Sequence, residues 1–210
     1  MNPPVTNALR IGLDFDDTIA DFSALLARCA RERWGVEMHH LRGEGRTLAD
    51  VIGQEATDAL IIEMLETDLS LRMSPKPGAL DAIRRLAERH ALIVVTARHE
   101  HEADAPRRWL QRHDVPVGDF VATGREPKSM AADTYELAVH LDDTPAVFDH
   151  FVDHRTVSAL YRDAAWPRRG APETPLLPHV REIDHWRRFE RLVGELAEAR
   201  DEVIEARTER

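Results

Sequence analysis

The chain has a single cysteine, Cys29, in 210 residues. One thiol excludes an internal disulfide framework, argues against a cysteine-ligated structural zinc, and suits a reducing cytoplasm. Long apolar runs are missing as well. No stretch approaches the roughly 20 residues needed to span a bilayer, and Met1-Asn-Pro-Pro-Val-Thr-Asn7 lacks a charged leader followed by an apolar core. The expectation is a soluble, unexported, cytoplasmic protein. Repeats, glycine-serine linkers and low-complexity tracts are absent, so nothing marks a second independent domain. Positive charge is in short supply: 28 Lys and Arg against 38 Asp and Glu give a formal net charge of −10. That balance disfavours an extended nucleic-acid surface while leaving room for a local positive pocket.

What is present starts at Arg10-Ile-Gly-Leu-Asp-Phe-Asp-Asp-Thr-Ile-Ala-Asp21, where an apolar strand delivers Asp14, Asp16 and Thr18 at its carboxyl end. Carboxylates two residues apart in an extended chain share a side and converge on one substrate. Like charges that close call for a cation, and oxygen-seeking Mg²⁺ fits. Asp14 is then placed to attack phosphorus, and Asp16 to protonate the leaving oxygen and later to activate water. Taken alone, the motif reads equally as a polar turn. A calcium loop fails, because Ile19 and Leu25 stand where an EF-hand needs glycine and glutamate.

Three later segments add to it. Ala91-Leu-Ile-Val-Val-Thr-Ala-Arg98 is a buried-strand run ending at Thr96, whose hydroxyl either holds a phosphate oxygen or caps the next helix. Lys128 follows a strand-like Phe120-Val-Ala-Thr123 at a helix start, where a lone lysine is usually solvated. Leu137-Ala-Val-His-Leu-Asp-Asp-Thr-Pro145 is a third apolar strand ending in Asp142 and Asp143, one able to complete a metal site and the other to orient its neighbour.

In this order, over residues 9 to about 160, the set resembles the haloacid dehalogenase (HAD) superfamily of aspartate-nucleophile phosphatases. The resemblance implies Asp14 as nucleophile and metal ligand, and Asp16 as the acid/base whose backbone carbonyl also touches Mg²⁺. It implies Thr96, with Ala97 and Arg98, as the phosphate-binding segment, Lys128 as the charge-balancing lysine, Asp142 as the last metal ligand and Asp143 as its supporting neighbour. A carboxylic acid at Asp16 favours phosphomonoester hydrolysis, since dehalogenases do not need it and the Asp-Lys-Thr-Gly of ion-pumping ATPases is absent. Asp14-Phe-Asp-Asp-Thr-Ile-Ala-Asp-Phe22 and Ser74-Pro-Lys-Pro-Gly-Ala79 look like the 5′(3′)-deoxyribonucleotidases and related bacterial nucleotidases. The chain departs at Asp17 and Thr18, where that group tends to have glycine and valine. Thr96-Ala-Arg98 is also similar to the Ser-Gly-Arg of polynucleotide 3′-phosphatases, so Arg98 is either a phosphate contact or a solvated helix-start residue.

The coarse order is strand 8–14, helix 21–34, helical chain to about 67, a proline-glycine return at Met73-Ser-Pro-Lys-Pro-Gly78, and an amphipathic helix Ala79 to Glu88. Strands and helices then alternate to residue 161. The pattern predicts an α/β fold: a Rossmann-like parallel sheet with helices on both faces and a small helical cap inserted after the first strand. The expected division is a core of 1–18 and 73–169, a cap of 19–72, and a proline-rich connector with C-terminal helix at 170–210. Cap specificity candidates are Phe22, Trp34 and Arg42, with His39 and His40 beside them; Trp34 reads also as core and Arg46 as solvated. His99-Glu-His-Glu102 has the wrong spacing for a two-histidine metal site and reads as a solvated loop or first helical turn. Residues 180–207 look like one long charged helix whose seam of Trp186, Phe189, Val193, Leu196 and Val203 either pairs subunits as a homodimer or docks on its own domain. Nucleoside monophosphates are the leading substrate class. Nucleic-acid 3′-phosphates, phosphosugars, and a non-catalytic phospho-ligand module are the alternatives.

Overall fold

The computed structural model describes residues 8–162 and 177–208. Six strands form one all-parallel sheet: β1 (Arg10–Leu13), β2 (Ala91–Thr96), β3 (Asp119–Ala122), β4 (Val139–Asp142), β5 (Val157–Tyr161) and β6 (Val180–Ile183), in the order β3-β2-β1-β4-β5-β6. Parallel strands are covered on both faces and therefore read as apolar runs. In β2, Leu92 and Val94 join one core with Ile11, Leu13, Trp109 and Phe189. Their neighbours Ile93 and Val95 point the other way, into a cluster with Leu137, Phe148 and Phe151. This two-residue alternation is what gives the sheet two cores, and the expected Rossmann-like α/β fold is the one found.

The chain winds outward in both directions from β1, through β2 and β3 on one side and β4 to β6 on the other. At such a switch point the carboxyl ends of adjacent strands open a crevice. Register sets the depth: Leu13 pairs with Val94 and Leu141, and the Asp14 amide donates to the Leu141 carbonyl at 2.9 Å. The residues just after β1, β2 and β4 therefore emerge side by side.

Between β1 and β2 the chain makes α1 (Phe22–Trp34), α2 (Met38–Gly43), α3 (Ala49–Ile52) and α4 (Gln54–Glu66), then a 3₁₀ turn at Asp68–Arg72. Asp21 caps α1 by accepting from the Ala24 amide at 3.0 Å. The outgoing and returning chains are tied: Asp21 N–H donates to Ser74 O and Lys76 N–H to Ile19 O, each at 2.8 Å. The buried Lys76 ammonium lies 3.2 Å from Asp17 and 3.0 Å from Asp21. Asp17 itself takes a left-handed backbone, φ 58°, a conformation Asp tolerates better than most residues. Its carboxylate accepts from the Ser23 amide at 2.9 Å and the Ser23 hydroxyl at 2.5 Å. Those bonds give a physical account of an aspartate where the resembling nucleotidases tend to carry glycine.

Helices α5 (Ala79–Ala87), α6 (Asp104–Arg112), α7 (Ser129–Thr134) and α8 (Trp186–Thr208) complete the fold. One expectation is corrected here. Residues 180–207 are not a single helix, because Val180–Ile183 adds a sixth strand whose Ser158↔Val180 and Tyr161↔Ile183 pairings are parallel. As an edge strand it exposes Arg181 and Glu182 and buries Ile183 alone, so its composition reads as a continuation of the charged helix. Trp186, Phe189 and Val193 are buried on the chain's own core, with Trp186 6.3 Å from Tyr161 and 5.8 Å from Phe189 between ring centres. The first half of the seam is thus used within the subunit, while Val203 is exposed. The proline-rich connector at 163–176 lies outside the described residues. Among those described, no helix is long and apolar enough to cross a membrane.

Candidate active site

Asp14 stands immediately after β1, nearly buried at the floor of the crevice. Lys128, the residue before α7, projects its ammonium between two carboxylates, 2.5 Å from Asp14 Oδ1 and 2.6 Å from Asp142 Oδ2. Asp142 ends β4, and Asp143 follows it. Single carboxylate oxygens of Asp14, Asp142 and Asp143 lie within 4.8 Å of one another. Burial pushes the Asp14 carboxyl well above the usual carboxylate range; Lys128 opposes this, and the nearby carboxylates add to it. Burial also works against ionised Asp142, but Lys128 and His140 outweigh it and hold that carboxyl down at about 2. Lys128 is held protonated in turn: desolvation disfavours its charge, and the two carboxylates more than compensate.

Asp16 is 24% exposed, toward the same cavity, and its carboxylate is gripped by Arg98, with Nε to Oδ2 at 2.8 Å and Nη2 to Oδ1 at 2.7 Å. Thr96, at the end of β2, is buried, and its hydroxyl accepts from the Arg98 amide at 3.3 Å. The cavity, about 320 Å³, is lined by Asp14, Asp16, Phe22, Thr96, Ala97, Arg98, Lys128, Asp142 and Asp143. Nine of the residues singled out in the sequence therefore meet in one place. A larger cleft of about 470 Å³ lies between β6 and α8, but none of the motif residues reaches it.

Four carboxylates, those of Asp14, Asp16, Asp142 and Asp143, are gathered here. An oxygen-only donor set of this kind fits a hard divalent cation such as Mg²⁺. The side chains that could hold it are those of Asp14, Asp142 and Asp143, which would make Asp143 a ligand where the sequence suggested a supporting neighbour of Asp142.

Not every expectation is met. Arg98 is 1% exposed, so the reading of a solvated helix-start arginine is overturned by its pairing with Asp16. Trp34 is exposed at the end of α1 and does not line the cavity. His39 and His40 are exposed on α2 with their rings 4.1 Å apart, and Arg46 pairs with Glu44; none of the three borders the site. Arg42 belongs to α2, and its side chain lies outside the described residues. His99 caps a 3₁₀ turn at Glu100–Glu102, as a first turn should, but Glu102 is buried, accepting from the His99 amide at 2.7 Å and Arg125 at 2.9 Å.

The sequence reading passed over several residues. Ile61 and Leu65 of α4, together with Val147, give the cavity apolar walls, and Arg125 reaches its rim from a left-handed backbone, φ 74°. His140 is fully buried, with Nε2 3.2 Å from Asp142 Oδ2 and its ring stacked 5.7 Å from Phe151. A histidine inside an apolar strand two residues before a carboxylate was the available signal. Gly12, paired with His140 across β1 and β4, leaves the space that the ring occupies.

A family model described as 5′ nucleotidase, deoxy (Pyrimidine), cytosolic type C protein matches residues 7–161. The chain is 21% identical over 186 residues to BH1399 of Halalkalibacterium halodurans, provisionally named a nucleotidase, covering 84% of this chain and 88% of that protein. It is 32% identical over 124 residues to a tRNA (guanine-N(1)-)-methyltransferase of Geotalea uraniireducens, covering 57% of this chain and 50% of that one. The chain thus spans about half the length of that relative. Among solved structures, the HAD-hydrolase YfnB of Bacillus subtilis, also provisionally named and bound to magnesium, superposes with a TM-score of 0.60 at 17% identity over 88% of this chain and 98% of that one. An L-2-haloacid dehalogenase of Xanthobacter autotrophicus with chloropropionic acid covalently bound gives 0.59 at 11% identity over 89% and 98%. At such identities the structures speak for a common fold.

Proposed function

Because the chain belongs to the cytosolic type C 5′ nucleotidase family, within the HAD superfamily, and is a phosphatase of that type, we propose that it is a Mg²⁺-dependent phosphomonoester hydrolase. Its substrate is a nucleoside monophosphate and its intermediate an aspartyl-phosphate on Asp14. The observation that carries this reading is the convergence of Asp14, Lys128, Asp142 and Asp143 on one cavity, with Asp16 facing the same space.

When bound, Mg²⁺ would neutralise charge between the nucleophile and the phosphoryl oxygens. Asp14, Asp142 and Asp143 side chains would hold it, with the backbone carbonyl of Asp16. An Asp14 oxygen attacks phosphorus as the ester bond breaks, and the leaving oxygen takes a proton from Asp16. Asp16 then accepts a proton from water, which attacks phosphorus and releases phosphate and free Asp14. Lys128 keeps its charge beside the nucleophile throughout, and the Thr96 hydroxyl, Ala97 and Arg98 border the phosphate position. Phe22, Ile61 and Leu65 offer the flat apolar surface that a nucleobase or sugar face would cover.

We assign the segments to a core of 1–18 and 73–169, a cap of 19–72 that shields the reaction from water, and a C-terminal part of 170–210 whose β6 and α8 complete the core. We assign its work to the cytoplasm, in keeping with the family's cytosolic description.

The test is phosphate release from nucleotides, sugar phosphates, an aryl phosphate and a 3′-phosphorylated oligonucleotide, with Mg²⁺ or EDTA. Metal-dependent release best with nucleoside monophosphates, and lost by at least about three orders of magnitude in Asp14→Asn, is the expected result. Release undiminished by Asp14→Asn would refute the covalent mechanism. Preference for the oligonucleotide would replace the substrate.

A further inference from the structure

Arg98 uses its guanidinium more fully than a phosphate-binding residue needs to. Nε and Nη2 form a fork on both oxygens of Asp16. Nη1 turns the other way, donating to the Leu65 carbonyl at 3.1 Å, the Ser70 hydroxyl at 3.1 Å and the Glu102 carbonyl at 3.4 Å. The plane also lies 5.7 Å from the Phe15 ring centre, the residue between the two catalytic carboxylates. Planarity and five fixed donors make this an arginine-specific job, because lysine offers a single point of charge.

The two sides of the fork belong to different parts of the molecule. Asp16 follows the central strand, while Leu65 and Ser70 bracket the end of α4 and the start of the 3₁₀ turn that returns from the inserted helices. Ser70 is buried, and its hydroxyl donates to the Met64 carbonyl, so this corner is fixed to the last turn of α4. Leu65 lines the cavity, and its carbonyl accepts from Arg98. A leaving group that packs on Leu65 is therefore connected, through one rigid plane, to the carboxylate that must meet its oxygen.

We propose that Arg98 is a positioning residue that couples the substrate-facing end of α4 to the orientation of Asp16. This rests on the reading of Asp16 as the acid/base. Contact with the leaving group at Leu65 steadies the guanidinium, and the guanidinium holds Asp16 at the angle from which it reaches the ester oxygen. Coupling of this kind is reciprocal, so a change at either end is felt at the other.

The experiment has two arms. Single-turnover rates of leaving-group release, which report the first displacement alone, are compared for Arg98→Lys and Arg98→Met on p-nitrophenyl phosphate, whose leaving oxygen departs without a proton donor, and on a nucleoside 5′-monophosphate, whose leaving oxygen needs one. A mispositioned Asp16 predicts a first-step rate lower by about 10²-fold on the nucleotide and by less than about fivefold on the aryl ester, with added guanidinium ion restoring part of the loss in Arg98→Met. Equal loss on both esters, or none on either, would overturn the proposal. Wild type inert on both esters would sink the phosphatase reading as well, which separates the two failures. In the second arm, amide exchange is followed at residues 66–70. Both Arg98→Lys and Asp16→Ala should speed it about tenfold, a difference of about 1.4 kcal/mol in opening free energy, while exchange in the middle of α1 stays unchanged. Exchange unaltered by Asp16→Ala overturns the coupling even if the Arg98 variants fold poorly.

Discussion

Replacing Gly12 by alanine probes the packing behind the site. A Cβ at that position would come within 2.5 Å of Leu137 Cδ1 and 2.6 Å of His140 Nδ1. Leu137 presents the end of a flexible chain and can swing. His140 cannot, because its ring is fully buried, stacks on Phe151 and reaches Asp142 at 3.2 Å. Overpacking of this kind costs about 1–3 kcal/mol, offset by about 0.5–1 kcal/mol because alanine loses less backbone freedom than glycine in a strand. Gly12→Ala alone should therefore destabilise by roughly 0–2.5 kcal/mol. In a His140→Ala background the obstacle is gone, and the same change should be neutral or stabilising by up to about 1 kcal/mol. The coupling energy of the cycle is then the relieved overpacking, about 1–3 kcal/mol. Denaturant midpoints of the four proteins in EDTA measure it, the chelator removing any metal contribution to stability. An equal cost of Gly12→Ala in both backgrounds would refute the claim that the His140 ring is what requires glycine.

Lys76→Met should lower stability by about 3–5 kcal/mol, seen as a drop of roughly 10 °C or more in the thermal midpoint, because it leaves Asp17 and Asp21 without the buried ammonium that lies between them; an unchanged midpoint would show the tie to be dispensable. Stability should also decline as pH falls below about 6.5, since burial holds the His90 and His113 imidazoles below their ordinary range. The unfolded chain then binds the extra protons, so their contribution is complete above that pH and is lost as pH drops toward the lower folded values. Substituting both by glutamine should flatten the pH dependence of the denaturation midpoint between about 5 and 7, and an unaltered slope would exclude these two groups as its source.

The local sequence determined where chemistry emerges. Apolar runs at 10–13, 91–96 and 139–142 form parallel strands, and each ends in, or one residue before, a hydroxyl or carboxylate that lines the cavity. Strand period and terminal residue type are local properties, so the positions of Asp14, Asp16, Thr96, Asp142 and Asp143 at strand ends were legible segment by segment, while their shared role was legible only from the order of the set. Lys128 was legible only by its order among them, since a lysine before a short helix has no local mark of burial. Val180–Ile183 was misread because an edge strand buries so few side chains that its pattern passes for helix.

The tertiary structure decided the partnerships. Arg98 looks like a surface residue until α4 and Asp16 close around it. Trp34, which reads as pocket wall or core, is turned to solvent by α1, and Ile61 and Leu65, which carry no mark in the sequence, are brought to the cavity by the insertion. These outcomes depend on contacts between segments tens of residues apart, and periodicity along the chain carries no information about which distant surface a side chain will meet. The residue types able to perform the chemistry were written in the sequence, while the space they share and the arginine that orients one of them exist only once the inserted helices fold back over the sheet.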